Sequence, residues 1–219
     1  MVRLAALRAS GVARLSEAPN FRMHLVTGDS LLHGPRLGSG ELPLPGEAEQ
    51  SGLQHAARAE DLPELNRIFG QHYHAVVGNP PYIVVRDPQV NENIRARYKQ
   101  SCYRQYSLGV PFTERFFQLA ENGDARRPAG FVGLITANSF MKREFGKKLI
   151  EDFLPRVDLT HVIDTAGAYL PGHGTPTVIL FGRERAPYTR TVRAVMGIKG
   201  EPGTPADPAQ GLVWQAIVD

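Results

Sequence analysis

Cysteine is almost missing from this sequence: Cys102 is the only one in 219 residues. That excludes an intrachain disulfide and a cysteine-based metal site, and the lone thiol reads as buried or idle rather than nucleophilic. Long apolar runs are missing too, since no window approaches the roughly 18 uninterrupted apolar residues of a membrane span. The stretch from Met1 to Arg8 is too short and too broken by Arg3 and Arg8 for a secretory segment, so a cytoplasmic protein without membrane contact is expected. Nor is there a large excess of either charge. A formal net charge of +3 is too small to identify a nucleic-acid partner by itself. A hydrophobic content of 42% is ordinary for a globular chain and sufficient for a core, in one large or two small domains.

What charge there is falls in clusters. Arg86, Arg95, Arg97, Lys99 and Arg104 form one group, and Lys142, Arg143, Lys147 and Lys148 form another. Such groups suit phosphate contacts, and they equally suit the solvated face of a helix.

The pattern of apolar residues predicts alternating strands and helices. Val2 to Leu15 reads as a helix ending near Gly11 or at Ala18-Pro19-Asn20, and Phe21 to Val26 alternates as a strand. Thr27-Gly28-Asp29-Ser30 closes that strand with a turn able to cap the next element. Gly, Pro and Glu crowd the stretch from Leu32 to Gln54, which reads as a flexible surface insertion. A short helix from about Asp61 to Phe69 precedes His74 to Gly78, short, apolar and β-branched like a strand covered on both faces. Further on come a helix from about Pro111 to Glu121, a strand from Gly130 to Thr136 and a basic amphipathic helix from about Ser139 to Phe153. Val162-Ile163-Asp164 and Thr177 to Phe181 read as two more strands, paired like a hairpin at the sheet edge. Leu212 to Val218 reads as a terminal strand after a loose segment from Gly200 to Gln210. The fold class is therefore α/β, a layered sheet with right-handed crossovers.

The chemistry concentrates in Asn79-Pro80-Pro81-Tyr82, the exit turn of the strand ending at Gly78. An exocyclic aromatic amine is a poor nucleophile because its lone pair is delocalised into the ring. An Asn oxygen and a neighbouring backbone carbonyl can accept hydrogen bonds from its two N–H groups, localising the lone pair and stabilising the positive charge that grows during attack. Asn79 and the carbonyl of Pro80 suit this work. The prolines fix φ and carry no N–H, so the turn is rigid, and Tyr82 offers a flat face to a base withdrawn from its stack. The end of a sheet strand is where ligands gather in open α/β folds. The alternative is a plain Pro-Pro turn.

Most of the chain resembles the adenine-specific DNA methyltransferases whose cofactor motifs precede the catalytic one, and among them the methyltransferases of type 2 BREX, or phage growth limitation, systems. The resemblance lies in Thr27 to Gly34, Val76 to Tyr82, Tyr106 to Phe117, Gly133 to Phe140 and Val162 to Gly182. It implies a Rossmann-like class I methyltransferase sheet, S-adenosylmethionine as cofactor, double-stranded DNA with a flipped adenine as substrate, and other BREX components as partners. It also implies that Asn79, Pro80, Pro81 and Tyr82 form the catalytic loop, and that Asp29 touches the adenine amino group of the cofactor; simple helix capping by Asp29 is the alternative. For the second face of the base pocket the candidates are Tyr169, with Leu170 beside it, and Phe140, each of which could instead be a packing residue. His173, in Pro171-Gly172-His173-Gly174, reads as shaping the base pocket, or as part of a structural turn.

The glycine-rich turn of the family's cofactor site, and the acidic residue that holds the ribose, find no counterpart before Asp29. The sheet is accordingly expected to be incomplete, lacking its first strands. The expectation is a fragment: residues 1–190 form the C-terminal part of a methyltransferase domain with an insertion at 33–58, and residues 191–219 begin a following segment. A fragment of this kind is expected to bind S-adenosylmethionine weakly or not at all. Two other functions use the same residues, namely methylation of a glutamine amide or RNA adenine, and a non-catalytic DNA-binding or assembly role.

Overall fold

The computed structural model describes residues 8–12, 17, 24–34, 62–123, 127–172, 174–197 and 200–218. Four α-helices and five strands are named here: α1 (Leu62–Phe69), β1 (Ala75–Gly78), α2 (Pro88–Arg97), α3 (Gly109–Leu119), β2 (Phe131–Ala137), β3 (Asp158–Asp164), β4 (Thr177–Arg183), β5 (Arg193–Met196) and α4 (Leu212–Val218). The strands form one mixed sheet in the order β1-β2-β4-β3-β5, an α/β arrangement as the alternating pattern predicts. β1 runs parallel to β2, β4 runs antiparallel to both β2 and β3, and β5 runs parallel to β3.

One face of this sheet holds the core. Val132, Leu134, Val178 and Leu180 alternate onto it and are at most 2% exposed, packed with Phe117 and Val110 of α3. Strand periodicity sends the intervening residues to the other side. There Val77, Phe131 and Phe181 lie exposed, so β1 is not covered on both faces as expected, and it has no strand beside its outer edge among the described residues. α3 is buried on nearly every side because it is wedged between β2 and the turn at 31–34. That is why Glu114 and Arg115 are buried together with the expected Phe117 and Leu119.

Several expectations are corrected. The β3–β4 pair is antiparallel as expected, but it does not form the edge: β4 sits between β2 and β3, and β5 is added outside. The segment from 138 to 156 is not one amphipathic helix but a chain of 3₁₀ and π turns. Its backbone folds back so closely that a Cβ on Gly146 would sit 1.9 Å from the carbonyl oxygen of Phe140, and Arg143 is extended. Leu212–Val218 is a helix rather than a strand. The Glu201 carboxylate accepts hydrogen bonds from the amides of Leu212 and Val213, at 2.7 and 3.0 Å, and so satisfies two of the first donors that every helix leaves without an internal partner. Residues 24–26 are not in a strand, and residues 21–23 lie outside the described residues. Of the helix expected at the start, residues 8 and 9 are helical and Gly11 ends the turn at φ 69°. Of the expected insertion, residues 35–58 lie outside the described residues.

No expectation from the sequence corresponds to α2, although its signals are present. Asp87 accepts from the amides of Gln89 and Val90 at 2.8 and 3.0 Å, and Pro88 occupies the first helical position.

Candidate active site

The register brings the Asn79 turn, the turn after β2 and the start of the β3–β4 connection to one end of the sheet. β1 leaves that end into the Asn79 turn, and Ala137 of β2 lies opposite Thr177 of β4, beside the pair of Val178 with Asp164 of β3. The turn at Asn138–Met141 and the connection from Thr165 to Pro176 therefore emerge on the same side, joined by the Asn138 amide donating to the Pro176 carbonyl at 3.0 Å.

Local packing sets the Asn79 turn. Gly78 faces α3, where a Cβ would meet the end of the Phe116 ring at 2.8 Å, so a larger residue here would require that ring to move. Pro80 is buried and Asn79 is exposed, which anchors the turn while leaving the amide accessible. The Tyr82 hydroxyl donates to Asn79 Oδ1 at 2.5 Å, and partial burial raises the Tyr82 pKa despite this bond. After the turn, the Leu108 amide donates to the Ile83 carbonyl at 2.8 Å, tying the exit chain to the start of α3.

Asp29 sits in a tight turn. Its Oδ1 accepts from the amides of Leu31 and Leu32, at 2.8 and 3.0 Å, so the capping role is present. Oδ2 accepts no hydrogen bond among the described residues. The turn is gripped by side chains from two helices. Arg97, at the end of α2, donates to the carbonyl of Leu32 at 2.8 Å and to those of His33 and Gly34. The Tyr98 hydroxyl donates to the Leu31 carbonyl at 2.7 Å, and Arg115 of α3 donates to His33 at 3.1 Å with its guanidinium over the Phe69 ring. Burial lowers the Arg115 pKa, and its Nε and Nη1 have no hydrogen-bond partner among the described residues. Gly34 takes φ 81°, and a Cβ there would lie 2.4 Å from Phe69 Cβ.

Sequence reasoning missed Arg97, Tyr98 and Arg115. The basic cluster after Tyr82 did mark Arg97, but as a surface residue, and only the helix register of α2 shows that it points inward. The remaining candidates separate. Tyr169 and Leu170 are half-buried in the β3–β4 connection. Phe140 is 4% exposed and packs in the main core with Leu134 and Leu149, so its ring supports the turn and is not open to a base. His173 lies outside the described residues. Cys102 is buried and its thiol is pushed up to about 12, chiefly by burial, in keeping with an idle thiol. No group of side chains suited to a metal ion occurs among the described residues, and no helix there is long and apolar enough to cross a membrane.

Known proteins match this arrangement at the sequence level. The family described as Eco57I restriction-modification methylase matches residues 41–169, which include β1, the Asn79 turn, α2, α3 and β2. The adenine-specific methyltransferase PglX of Streptomyces coelicolor is 48% identical over 230 aligned residues, covering 99% of this chain and 18% of its own length. The type II methyltransferase M.BstVI of Geobacillus stearothermophilus is 28% identical over 92 residues, 41% of this chain and 15% of that protein. Among solved structures, one of a DrdV–DNA complex covers 60% of this chain and 16% of its own at 16% identity, with a TM-score of 0.41. The chain thus spans less than a fifth of the length of the curated relatives it matches.

Proposed function

The chain belongs to the Eco57I restriction-modification methylase family, and from that premise we propose that it forms the amine-activating part of an S-adenosylmethionine-dependent DNA adenine N6-methyltransferase. The observation that carries this reading is the Asn79 turn. An exposed Asn oxygen, held at a strand end by a buried proline, already accepts a hydrogen bond from a hydroxyl that stands where an amine could stand.

In this reading Asn79 Oδ1 and the Pro80 carbonyl accept the two hydrogens of the adenine amino group. They draw the nitrogen toward tetrahedral geometry and offset its growing positive charge. The Tyr82 ring stacks on one face of the base, and Tyr169, from the β3–β4 connection at the same end of the sheet, is the candidate for the other. His173 and Leu170 belong to that connection and shape its approach.

The residues present fit one edge of the cofactor. Asp29 commits Oδ1 to its own turn and keeps Oδ2 for an adenine amino group, and Arg97, Tyr98 and Arg115 fix the turn in place. When bound, S-adenosylmethionine supplies the electron-poor methyl group.

We place the catalytic part within residues 1–190, with β5 of the following segment docking on β3. The 48% identity to PglX supports a role in phage defence, with other BREX components as partners, in the cytoplasm where DNA is the substrate. The decisive experiment is transfer of labelled methyl groups to duplex DNA by the full-length protein carrying this segment. Asn79→Ala should reduce incorporation by at least about 100-fold. Retained activity in that variant would sink the mechanism, and stronger labelling of RNA or protein than of DNA would move the substrate class.

A further inference from the structure

The basic residues after Tyr82 divide into two groups. Arg97 turns inward to the 31–34 turn, whereas Arg86, Arg95 and Arg104 line an open cleft of about 360 Å³ with Val85, Asn91 and Glu92. The cleft begins three residues after Tyr82, along the chain that carries the base-stacking ring away from the Asn79 turn.

Two of its arginines are held in advance. Arg95 Nη2 donates to Asn91 Oδ1 at 3.1 Å and to the Arg104 carbonyl at 2.6 Å, and its guanidinium lies 5.9 Å from the Tyr106 ring centroid. The Arg104 guanidinium lies 5.4 Å from the Tyr103 ring centroid. Arg104 is also the one non-glycine residue with a left-handed backbone among the described residues, at φ 53°. Strain of this kind persists where the surroundings demand one side-chain direction. Stacked, planar guanidinium groups lose little freedom on binding and offer several N–H donors in a fixed fork.

Two of the three arginines are already in ion pairs. Glu92 pairs with Arg95, Glu144 pairs with Arg104, and the Asp87 carboxylate accepts the first amides of α2. Arg86 is exposed and makes no hydrogen bond or ion pair with the described residues. A cleft with two ring-stacked guanidinium forks and one exposed guanidinium outside any ion pair with the described residues suits a singly charged, oxygen-rich group.

We propose that this cleft is a phosphodiester subsite that holds the backbone of the DNA strand whose base enters the Asn79 turn. The proposal rests on the reading that the chain acts on DNA. It separates the residues that bind the backbone, with Arg86 foremost, from Arg97, which serves the Asp29 turn.

Fluorescence anisotropy of a labelled duplex, titrated with the full-length protein at a series of NaCl concentrations, tests it. Each phosphate contact contributes about one to the slope of log K against log salt, so Arg86→Ala should lower the slope by about one and Arg86→Ala with Arg104→Ala by about two. Arg193→Ala, on β5 at the opposite edge of the sheet, should leave the slope unchanged. Arg86→Lys should restore the slope. Arg86 is exposed and makes no hydrogen bond or ion pair with the described residues, so its removal does not put folding at stake. An unchanged slope in Arg86→Ala, with wild type binding DNA, overturns the subsite; so does an equal loss in Arg193→Ala, which would indicate general charge alone. Failure of wild type to bind duplex DNA at any salt overturns the DNA reading itself and the subsite with it.

Discussion

The Tyr82 hydroxyl donates a hydrogen bond to Asn79 Oδ1 at 2.5 Å. The oxygen proposed to receive the substrate amine therefore already has a partner, and substrate binding must exchange one hydrogen bond for another. Replacing Tyr82 by Phe removes the competing donor and keeps the ring. Because a hydrogen bond is worth about 1 kcal/mol net, Tyr82→Phe should keep kcat and leave KM for DNA unchanged or lowered by up to about fivefold. Tyr82→Ala should weaken DNA binding by about 1–3 kcal/mol through lost stacking. Steady-state methyl transfer separates the two, and a Phe variant as impaired as the Ala variant would assign the work to the hydroxyl.

Much of this site was legible in the sequence because its signals are local. Pro80 and Pro81 declare a rigid turn, and the apolar run before them declares a strand, though not that one of its faces is open. The partners of Asp29 were not legible. Arg97 and Arg115 reach its turn across more than 60 residues of chain, and nothing in a local window says that an arginine points inward. The same holds for the segment from 138 to 156. Its composition suits a helix, yet the close approach of Gly146 to the Phe140 backbone is a tertiary constraint that wins over propensity. At α4, the deciding cap comes from Glu201, outside the helix and before the preceding 3₁₀ turn.

The grip on the Asp29 turn gives a second prediction. Arg97→Ala would leave the carbonyls of Leu32 and Gly34 without their cation, His33 keeping Arg115, and losing charged hydrogen bonds to these part-buried acceptors costs about 1–3 kcal/mol. Urea unfolding should register that loss. Hydrogen exchange should quicken at the Leu31 and Leu32 amides, which Asp29 caps, more than at β2. Asp29→Asn keeps an Oδ1 acceptor for those amides, so it should spare stability while weakening cofactor binding in the full-length protein. If Asp29→Asn leaves cofactor affinity untouched, Asp29 is a cap and nothing more.

Gly34 supplies a third. A side chain there faces both a left-handed backbone, at φ 81°, and the Phe69 Cβ 2.4 Å away. Neither atom lies at the end of a flexible chain, so the strain cannot be relieved by a rotamer change. Gly34→Ala should destabilise by about 2 kcal/mol or more, read as a lowered midpoint of thermal unfolding. Gly172→Ala is the comparison. Its φ is 74°, but nothing lies within 4 Å of the added carbon, so it should cost only the backbone part.

The last prediction concerns pH. Glu114 on α3 is 2% exposed; Gln118 donates to its Oε1, and Oε2 has no hydrogen-bond partner among the described residues. Burial pushes its carboxyl up to about 7, against the lowering influence of Ser101 and of the Lys148 and Arg156 charges. The folded state therefore holds a proton that the unfolded chain releases near its ordinary value of 4.5. Stability from this group is complete below that value and is lost as pH rises to about 7, because over this window the folded state binds more protons. Glu114→Gln keeps the amide-sized side chain neutral throughout. It should be more stable than wild type at pH 8, by at most about 3 kcal/mol and visible as a higher melting temperature, and the two should converge at low pH. Glu184, also raised to about 7 by burial, adds a dependence of the same sign that persists in the variant, so the informative quantity is the difference between the two proteins across pH. A constant difference from pH 4 to pH 8 would mean that Glu114 does not carry the proton.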